Sequence, residues 1–331
     1  VNAIVTSDEQ ARAEASPDRA ELVRLALSGT IFARLTPLQK SLLIETIRSQ
    51  GRVVGFLGDG INDSVALHQA DVGISVDDAV DVAKDAADII LLQKSLMVLA
   101  DGIVIGRTSF ANMVKYIKMA MSSNFGNVFS VTVAACWLPF LPMLPIHIVI
   151  QNLLYDISQI AIPCDNVDAE MIATPRRWTP KSLIRFLLIG PVSSVFDITT
   201  FLFLWFYFDL QTKVDEETMP TCDDAPDRCT RLFQTGWFVI GLCTQALIIH
   251  MIRTPKIPFI QSSPALGLAV MSFCVMVIAC VLPYIPVVNE FVKMQPLPGI
   301  FWAWFAGTMA GYVVLTQICK AVYVGVFHEW I

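Results

Sequence analysis

Charge is what this sequence has least of for its length. Asp, Glu, Lys and Arg make up 16% of its 331 residues, where a soluble globular chain carries about 25%. That shortfall excludes an ordinary soluble domain as a description of the whole chain. Histidine is scarce too, at four residues, and none of the eight cysteines stands in a Cys-x-x-Cys pair. A zinc site built from sequence neighbours is therefore not indicated. Net charge is -6, which gives no basic surface for nucleic acid. The N-terminus does not show the basic-then-apolar order of a signal peptide.

What is present instead is apolar. Hydrophobic residues reach 55% and mean hydropathy is +0.60, with the excess concentrated after about residue 119. Six segments there are long enough for the roughly 20 residues a bilayer requires: about 119–138, 144–162, 183–208, 233–252, 265–285 and 300–323. Basic residues select a side. Lys115 and Lys118 precede the first segment, Arg176, Arg177 and Lys181 follow the second, Arg253 and Lys256 follow the fourth, and Lys320 lies near the end. The other loops are acidic or near neutral, notably Asp215-Glu216-Glu217 and Asp223-Asp224. Both ends of the chain are thus expected on the cytoplasmic face. Trp178, Trp205, Trp237, Trp302 and Trp330 sit near segment ends and read as interface anchors.

The first hundred residues read differently. Asp18 to Leu27 has helical spacing, and Ile31 to Arg34 reads as a short strand. Thr36-Pro37 opens a helix, with Thr as N-cap and Pro in the first turn, and Leu38, Leu42, Leu43 and Ile47 give it an apolar face. Lys40 falls in that first turn, where the helix dipole disfavours a cation and an anion would explain it. Val53 to Leu57 is expected to be the central strand, ending abruptly at Gly58-Asp59-Gly60. The glycines would allow left-handed or strained backbone angles there. Asp59 and Asp63, with Asn62 between them, suit a hard cation such as Mg2+ at a strand end; a plain solvated Gly/Asp turn is the alternative. A helix through Ser64 to Gln69 and strands at Val72–Val76 and Ile89–Leu92 complete an alternation that argues for a parallel α/β sheet. Asp77, Asp78, Asp81 and Asp85 read as a solvated face rather than a metal cluster. From about Asp101 the chain becomes a long helix in which Ile103, Val104, Ile105, Phe110, Met113 and Val114 alternate with Arg107, Lys115 and Lys118.

The ordered set Phe32-Ala33-Arg34-Leu35-Thr36-Pro37-Leu38-Gln39-Lys40, Gly58-Asp59-Gly60-Ile61-Asn62-Asp63, Ala70-Asp71-Val72-Gly73-Ile74-Ser75 and Ala86-Ala87-Asp88-Ile89-Ile90-Leu91 closely resembles the second half of the phosphorylation domain of P-type ATPases, a branch of the haloacid-dehalogenase-like hydrolases. The resemblance extends through nearly all of the chain. It implies a partial α/β phosphorylation domain with a Rossmann-type parallel sheet at 1–100, a stalk helix at 101–118, and an all-α six-helix transmembrane domain at 119–331. It also implies that Asp59 helps hold a catalytic Mg2+, that Lys40 neutralises an aspartyl-phosphate, and that Asn62 and Asp63 complete the phosphate pocket. ATP would be the second cofactor, bound by a nucleotide-binding domain that this chain does not contain. The family's nucleophile lies in an Asp-Lys-Thr-Gly-Thr segment, and no such segment occurs here. These residues are therefore expected to be the C-terminal part of a longer pump, inactive alone and partnered by its N-terminal part and the lipid bilayer.

Polar groups at bilayer depth are functional candidates by default. Asn124 and Asn127 share a helical face, beside Ser122, Ser123 and Gly126, which allow close helix approach. Asn152, Tyr155, Asp156 and Gln159 fall at i, i+3, i+4 and i+7. One carboxylate with amide oxygens, and neither thiolate nor imidazole, suits a hard divalent ion. In the family these positions form the transport site, which carries over to Asn124, Asn127, Asn152 and Asp156, with Tyr155 secondary. The wording Ser122-Ser123-Asn124-Phe125-Gly126-Asn127, Gln151-Asn152-Leu153-Leu154-Tyr155-Asp156, Ser194-Val195-Phe196-Asp197 and His250-Met251-Ile252-Arg253-Thr254-Pro255 is similar to bacterial magnesium-transporting P-type ATPases, implying Mg2+ import across the inner membrane. Asp197 is either a second cation ligand or a partner for a polar group on a neighbouring helix. His250 is expected to be interfacial or hydrogen-bonded rather than a metal ligand. Cys222 and Cys229, in the acidic loop, form a disulfide if that loop meets an oxidising compartment. The alternatives are a pump for Ca2+ or another cation, and a non-catalytic membrane protein that binds cations or a partner pump.

Overall fold

The computed structural model describes residues 3–6, 19–93, 95–177, 184, 190–207, 226–327 and 330. Trp178, Lys181, Asp215, Glu216, Glu217, Cys222, Asp223 and Asp224 lie outside them. The chain forms two compact units, Val1–Ile103 and Val104–Ile331.

In the first unit β1 (Ala3–Thr6) pairs in parallel with β2 (Gly29–Ala33), following α1 (Arg19–Ser28). Then come α2 (Pro37–Ser49), β3 (Gly55–Leu57), a 3-10 turn (Ile61–Asp63), α3 (Ser64–Gln69), β4 (Val72–Val76), α4 (Asp81–Asp85) and β5 (Ile89–Leu91). Strands β3, β4 and β5 make a second parallel sheet in that order. The strand ahead of Gly-Asp-Gly was expected at the centre. Among the described strands it lies instead at an edge, and β4 holds the middle because its face is the more buried. Leu67, Val76, Ala79 and Ala83 form the small core behind it. The start of α2 is built as its sequence suggests. Thr36 Oγ1 accepts from the Gln39 N–H at 3.3 Å, Gln39 Oε1 accepts from the Thr36 N–H at 3.0 Å, and Pro37 follows the cap.

The second unit is helical. Helix α5 (Leu96–Ala135) is continuous over 40 residues and contains the boundary between the units. It is followed by α6 (Pro145–Gln159), α7 (Ala169–Ala173), α8 (Pro191–Tyr207), α9 (Pro226–Ile252), α10 (Leu266–Val281), α11 (Pro286–Val292) and α12 (Gly299–Phe327). Four of the described helices are long and apolar enough to cross a membrane: Leu96–Ala135, Cys229–Ile252, Leu266–Tyr284 and Gly299–Phe327. Helices α6 and α8, of 15 and 17 residues, fall within two more of the apolar segments. Helix α9 is the axis of this unit. It packs against α6, α8, α10 and α12, and 94% of its spanning window is buried, against 17–28% for the other three. The helices around it show their remaining apolar faces outward, as lipid-facing helices do.

Two sequence expectations are corrected here. Trp237 and Trp330 are not interface anchors. Trp237 packs edge-on against Phe201 in the core, and Trp330 donates to the Ile252 carbonyl at 3.0 Å. Lys115 and Lys118, read from the sequence as basic residues flanking the first apolar segment, are enclosed as well. Lys115 and Lys118 are about 1% exposed, while Ile103, Val104, Ile105 and Met113 face outward. Lys118 donates to the Trp330 carbonyl at 2.8 Å, and Lys115 enters a buried ion network described below. Lys320 is buried also, donating to the carbonyls of Met251, Thr254 and Lys256 where α9 ends. A cation suits the negative end of a helix dipole.

Candidate functional site

In the first unit the Gly58-Asp59-Gly60 turn leaves β3 and leads into the turn that carries Asn62 and Asp63. The Gly58 N–H donates to the Ile74 carbonyl at 3.0 Å, and Ser75 Oγ donates to the Gly58 carbonyl at 2.9 Å. The glycines serve differently from the expectation. Among the described residues Gly51 is the glycine with positive φ, and Gly60 has φ -110. Gly58 is needed for close approach, since an added Cβ would sit 2.5 Å from the Asp63 Cβ. Lys40 reaches across from α2, and its Nζ donates to Asp63 Oδ1 at 2.7 Å. Asp63 is thus an anionic partner for Lys40 within the chain itself. Asp59 and Asn62 are exposed at the strand end. The chemistry available is one ammonium held in place, two carboxylates and an amide on one turn, which suits a magnesium-bound phosphate. Asp77, Asp78, Asp81 and Asp85 are all exposed, and the described residues hold no cluster of three or more His, Cys, Asp or Glu able to bind a metal.

In the second unit Asn124 and Asn127 of α5 and Asn152 of α6 line one cavity of about 300 Å3, with Gln151, Thr132 and Trp237. The structure thus brings three of the four expected ion ligands together. The fourth, Asp156, lines a separate cavity of about 450 Å3 with Asn112, Tyr116 and Gln159. The polar face expected on α6 is split. Tyr155 and Gln159 are buried, Tyr155 donating to the Met119 carbonyl at 3.3 Å, while Asn152 and Asp156 are exposed. Asp197 of α8 is buried and accepts from Ser130 Oγ at 2.6 Å. His250 meets Ser272 Oγ at 2.7 Å in the buried core, a hydrogen-bonding role. Cys229 is disulfide-bonded, and Cys222, its expected partner, lies outside the described residues.

Sequence reasoning missed one centre altogether. Asp165, after α6, accepts from Lys115 Nζ at 2.9 Å and Arg253 Nε at 3.0 Å, and all three side chains are 1% exposed or less. The Ala265 N–H donates to the other Asp165 oxygen at 3.0 Å. Arg253 also donates to the carbonyls of Ser262, Asn166 and Ser263, and Asn112 to those of Pro163 and Asp165. Burial alone would push the Asp165 carboxyl up. The charge and hydrogen bonds of Lys115, the Ala265 amide and Arg253 outweigh it and hold the carboxyl below its ordinary value. The network ties the loop after α6 to α5 and to the segment after α9. Its sequence signal was three charges bordering apolar segments, which read equally well as topology markers.

Four apolar helices of spanning length, with α6 and α8 in two further apolar segments, define a multi-pass membrane protein. The family described as cation transporting ATPase, C-terminus, matches residues 140–322, and the chain belongs to it. Over 304 residues, 92% of its length, the chain is 53% identical to the Magnesium-transporting ATPase, P-type 1, of Escherichia coli strain K12. It is 53% identical over 303 residues, 91% of its length, to the protein of that name from Salmonella typhimurium strain 14028s. It is also 32% identical over 155 residues, 46% of its length, to Calcium-transporting ATPase 1 of Bacillus cereus, covering 18% of that protein. The chain spans about a third, 32%, of the length of the two magnesium-transporting relatives.

Proposed function

We propose that this chain is part of an ATP-driven pump that imports Mg2+ through an aspartyl-phosphate intermediate. Its first unit is the C-terminal part of a haloacid-dehalogenase-like phosphorylation domain, and its second is a six-helix membrane domain with both ends cytoplasmic. The phosphorylated aspartate, which this chain does not contain, belongs to the rest of the pump, so the chain alone is inactive. Asp59 holds the catalytic Mg2+ with Asp63, while Lys40 and Asn62 face the phosphate. Asn124, Asn127, Asn152 and Asp156 receive the transported ion.

The observation that carries this reading is the convergence of three amide side chains from α5 and α6 on one cavity. The amides provide hard oxygen donors of no charge, with Asp156 about one helical turn from Asn152 on α6, which suits an ion that keeps part of its water, as Mg2+ does. The likeness to the two magnesium-transporting relatives across more than nine-tenths of the chain supports Mg2+ over Ca2+. The test is Asp59→Ala in the full-length pump. Phosphoenzyme formation or turnover should fail at Mg2+ concentrations that saturate the parent, and unchanged turnover would remove Asp59 from the site.

A further inference from the structure

Trp330 lies beyond the end of α12 (Gly299–Phe327), yet it is only 6% exposed. Its ring meets Tyr323 edge-on at 5.6 Å and lies 5.8 Å from the Lys320 Nζ. Its indole N–H donates to the Ile252 carbonyl at 3.0 Å, and its own carbonyl accepts from Lys118 Nζ at 2.8 Å. One residue therefore joins three helices: α12 through Tyr323 and Lys320, the end of α9 through Ile252, and α5 through Lys118.

Each contact has a physical reason. The last carbonyls of a helix find no partner within it, and at the end of α9 Lys320 takes that of Met251 while Trp330 takes that of Ile252. An indole N–H donates and does not accept, so it suits a bare carbonyl. Lys118 is 1% exposed, and an ammonium so enclosed is stable only among acceptors; the Trp330 carbonyl is one of them. Helix α5 is thereby held at two points three residues apart, Lys115 on Asp165 and Lys118 on Trp330. It then runs unbroken to Asn124 and Asn127. Asn124 is six residues beyond Lys118, about 9 Å along the axis at 1.5 Å per residue. A helix this close to its tether passes a change of height or rotation directly to those amides.

We infer that Trp330 is a positioning residue for the transport site: wedged against the end of α9, it fixes α5 through Lys118 and so sets where Asn124 and Asn127 stand in the cavity they share with Asn152. The ring is the anchor and the carbonyl is the hand that holds the lysine. Trp330 touches no ion; it acts through α5. This inference rests on the pump reading above and adds to it a determinant of ion affinity that lies outside the cavity.

The experiment uses the full-length pump in sealed proteoliposomes, with MgATP fixed on the ATP-hydrolysing side and free Mg2+ varied on the other. Trp330→Ala removes the anchor and should raise the Mg2+ concentration for half-maximal ATPase stimulation about fivefold or more, the low end for coupled sites, with the maximal rate kept. Lys118→Met cuts the same link from the other end and should do the same. The double variant should then be no worse than either single one, whereas independent effects would multiply. Trp330→Phe keeps a ring beside Tyr323 and loses the indole N–H, so it should restore part of the affinity. A purely structural Trp330 would lower thermal stability and leave the half-maximal concentration where it is, and that result would overturn the inference. A double variant whose effect is the product of the two would overturn it as well. Where Trp330→Ala does not fold, Trp330→Phe takes its place, and unchanged half-maximal concentrations in it and in Lys118→Met are decisive against the inference. Asn124→Ala, measured in parallel, separates the two claims. If it weakens Mg2+ activation while the Trp330 and Lys118 variants do not, the positioning role alone fails. If Asn124→Ala has no effect either, the pump reading itself is at fault.

Discussion

Asn152 and Asp156 stand about one helical turn apart on α6, yet they open on to different cavities, Asn152 with Asn124 and Asn127, and Asp156 with Asn112 and Tyr116. Helical spacing placed them on one face, but α6 presents its inner edge through Gln151, Tyr155 and Ser158.

Asn124 and Asn152 meet at one cavity from two helices, so their contributions should couple. In the full-length pump Asn124→Ala and Asn152→Ala should each raise the Mg2+ requirement for ATPase stimulation. The double variant should depart from additivity by about 0.5–3 kcal/mol in activation free energy. Simple additivity within experimental error would mean that the two amides do not share an ion.

Asp165 neutralises two buried cations at once. Asp165→Asn removes the carboxylate to which Lys115 and Arg253 both donate, and loss of one member of a buried ion pair costs about 3–5 kcal/mol. Thermal unfolding of the purified pump, followed by tryptophan fluorescence, should show a clear loss of stability. The pH dependence follows from the carboxyl's lowered value in the folded protein. The group then adds stability that is fully present above the ordinary carboxylate range of about 3.9 and is lost as pH falls through the lower folded value. A parent stability flat from neutral pH to about pH 5, and falling only in stronger acid, is expected from this group. A fall already complete at pH 5 would contradict it.

Gly58 tests the phosphate turn. Its added Cβ would meet the Asp63 Cβ at 2.5 Å, so Gly58→Ala must shift Asp63 and loosen its 2.7 Å contact with Lys40. Overpacking of this kind costs about 1–3 kcal/mol. Phosphoenzyme turnover should fall sharply while the membrane unit's thermal transition is unchanged. Normal turnover would show that the Lys40–Asp63 pair is not required.

Much of the first unit was legible because its signals are local. The Thr36 cap with Pro37, the helix at Ser64–Gln69 and the strands at Val72 and Ile89 each announce themselves within a few residues; Gln39's reciprocal bond came only with the structure. Strand order was not legible. Val53 to Leu57 reads as a central strand from its apolar run, and only pairing shows that β3 lies at an edge of its sheet. Glycine at 58 was legible as a requirement, but its reason was not, since a close side-chain neighbour leaves no mark in sequence. In the second unit the polar residues of α5 and α6 were found, and their division between cavities was not, because helix rotation is set by packing on α9. Lys115 and Arg253 read as ordinary membrane-flanking cations. Their burial depends on Asp165, which is 50 residues from one and 88 from the other.

The central claim is that this chain carries the transport site of a magnesium pump, and one acid tests it most directly. ATP hydrolysis by the full-length pump is measured at fixed MgATP while free Mg2+, or Ca2+ in its place, is varied on the opposite side of the membrane. The account predicts stimulation by Mg2+, little by Ca2+, and none by Mg2+ in Asp156→Asn. Stimulation of Asp156→Asn equal to the parent's, or a parent that answers to Ca2+ and not to Mg2+, would contradict it.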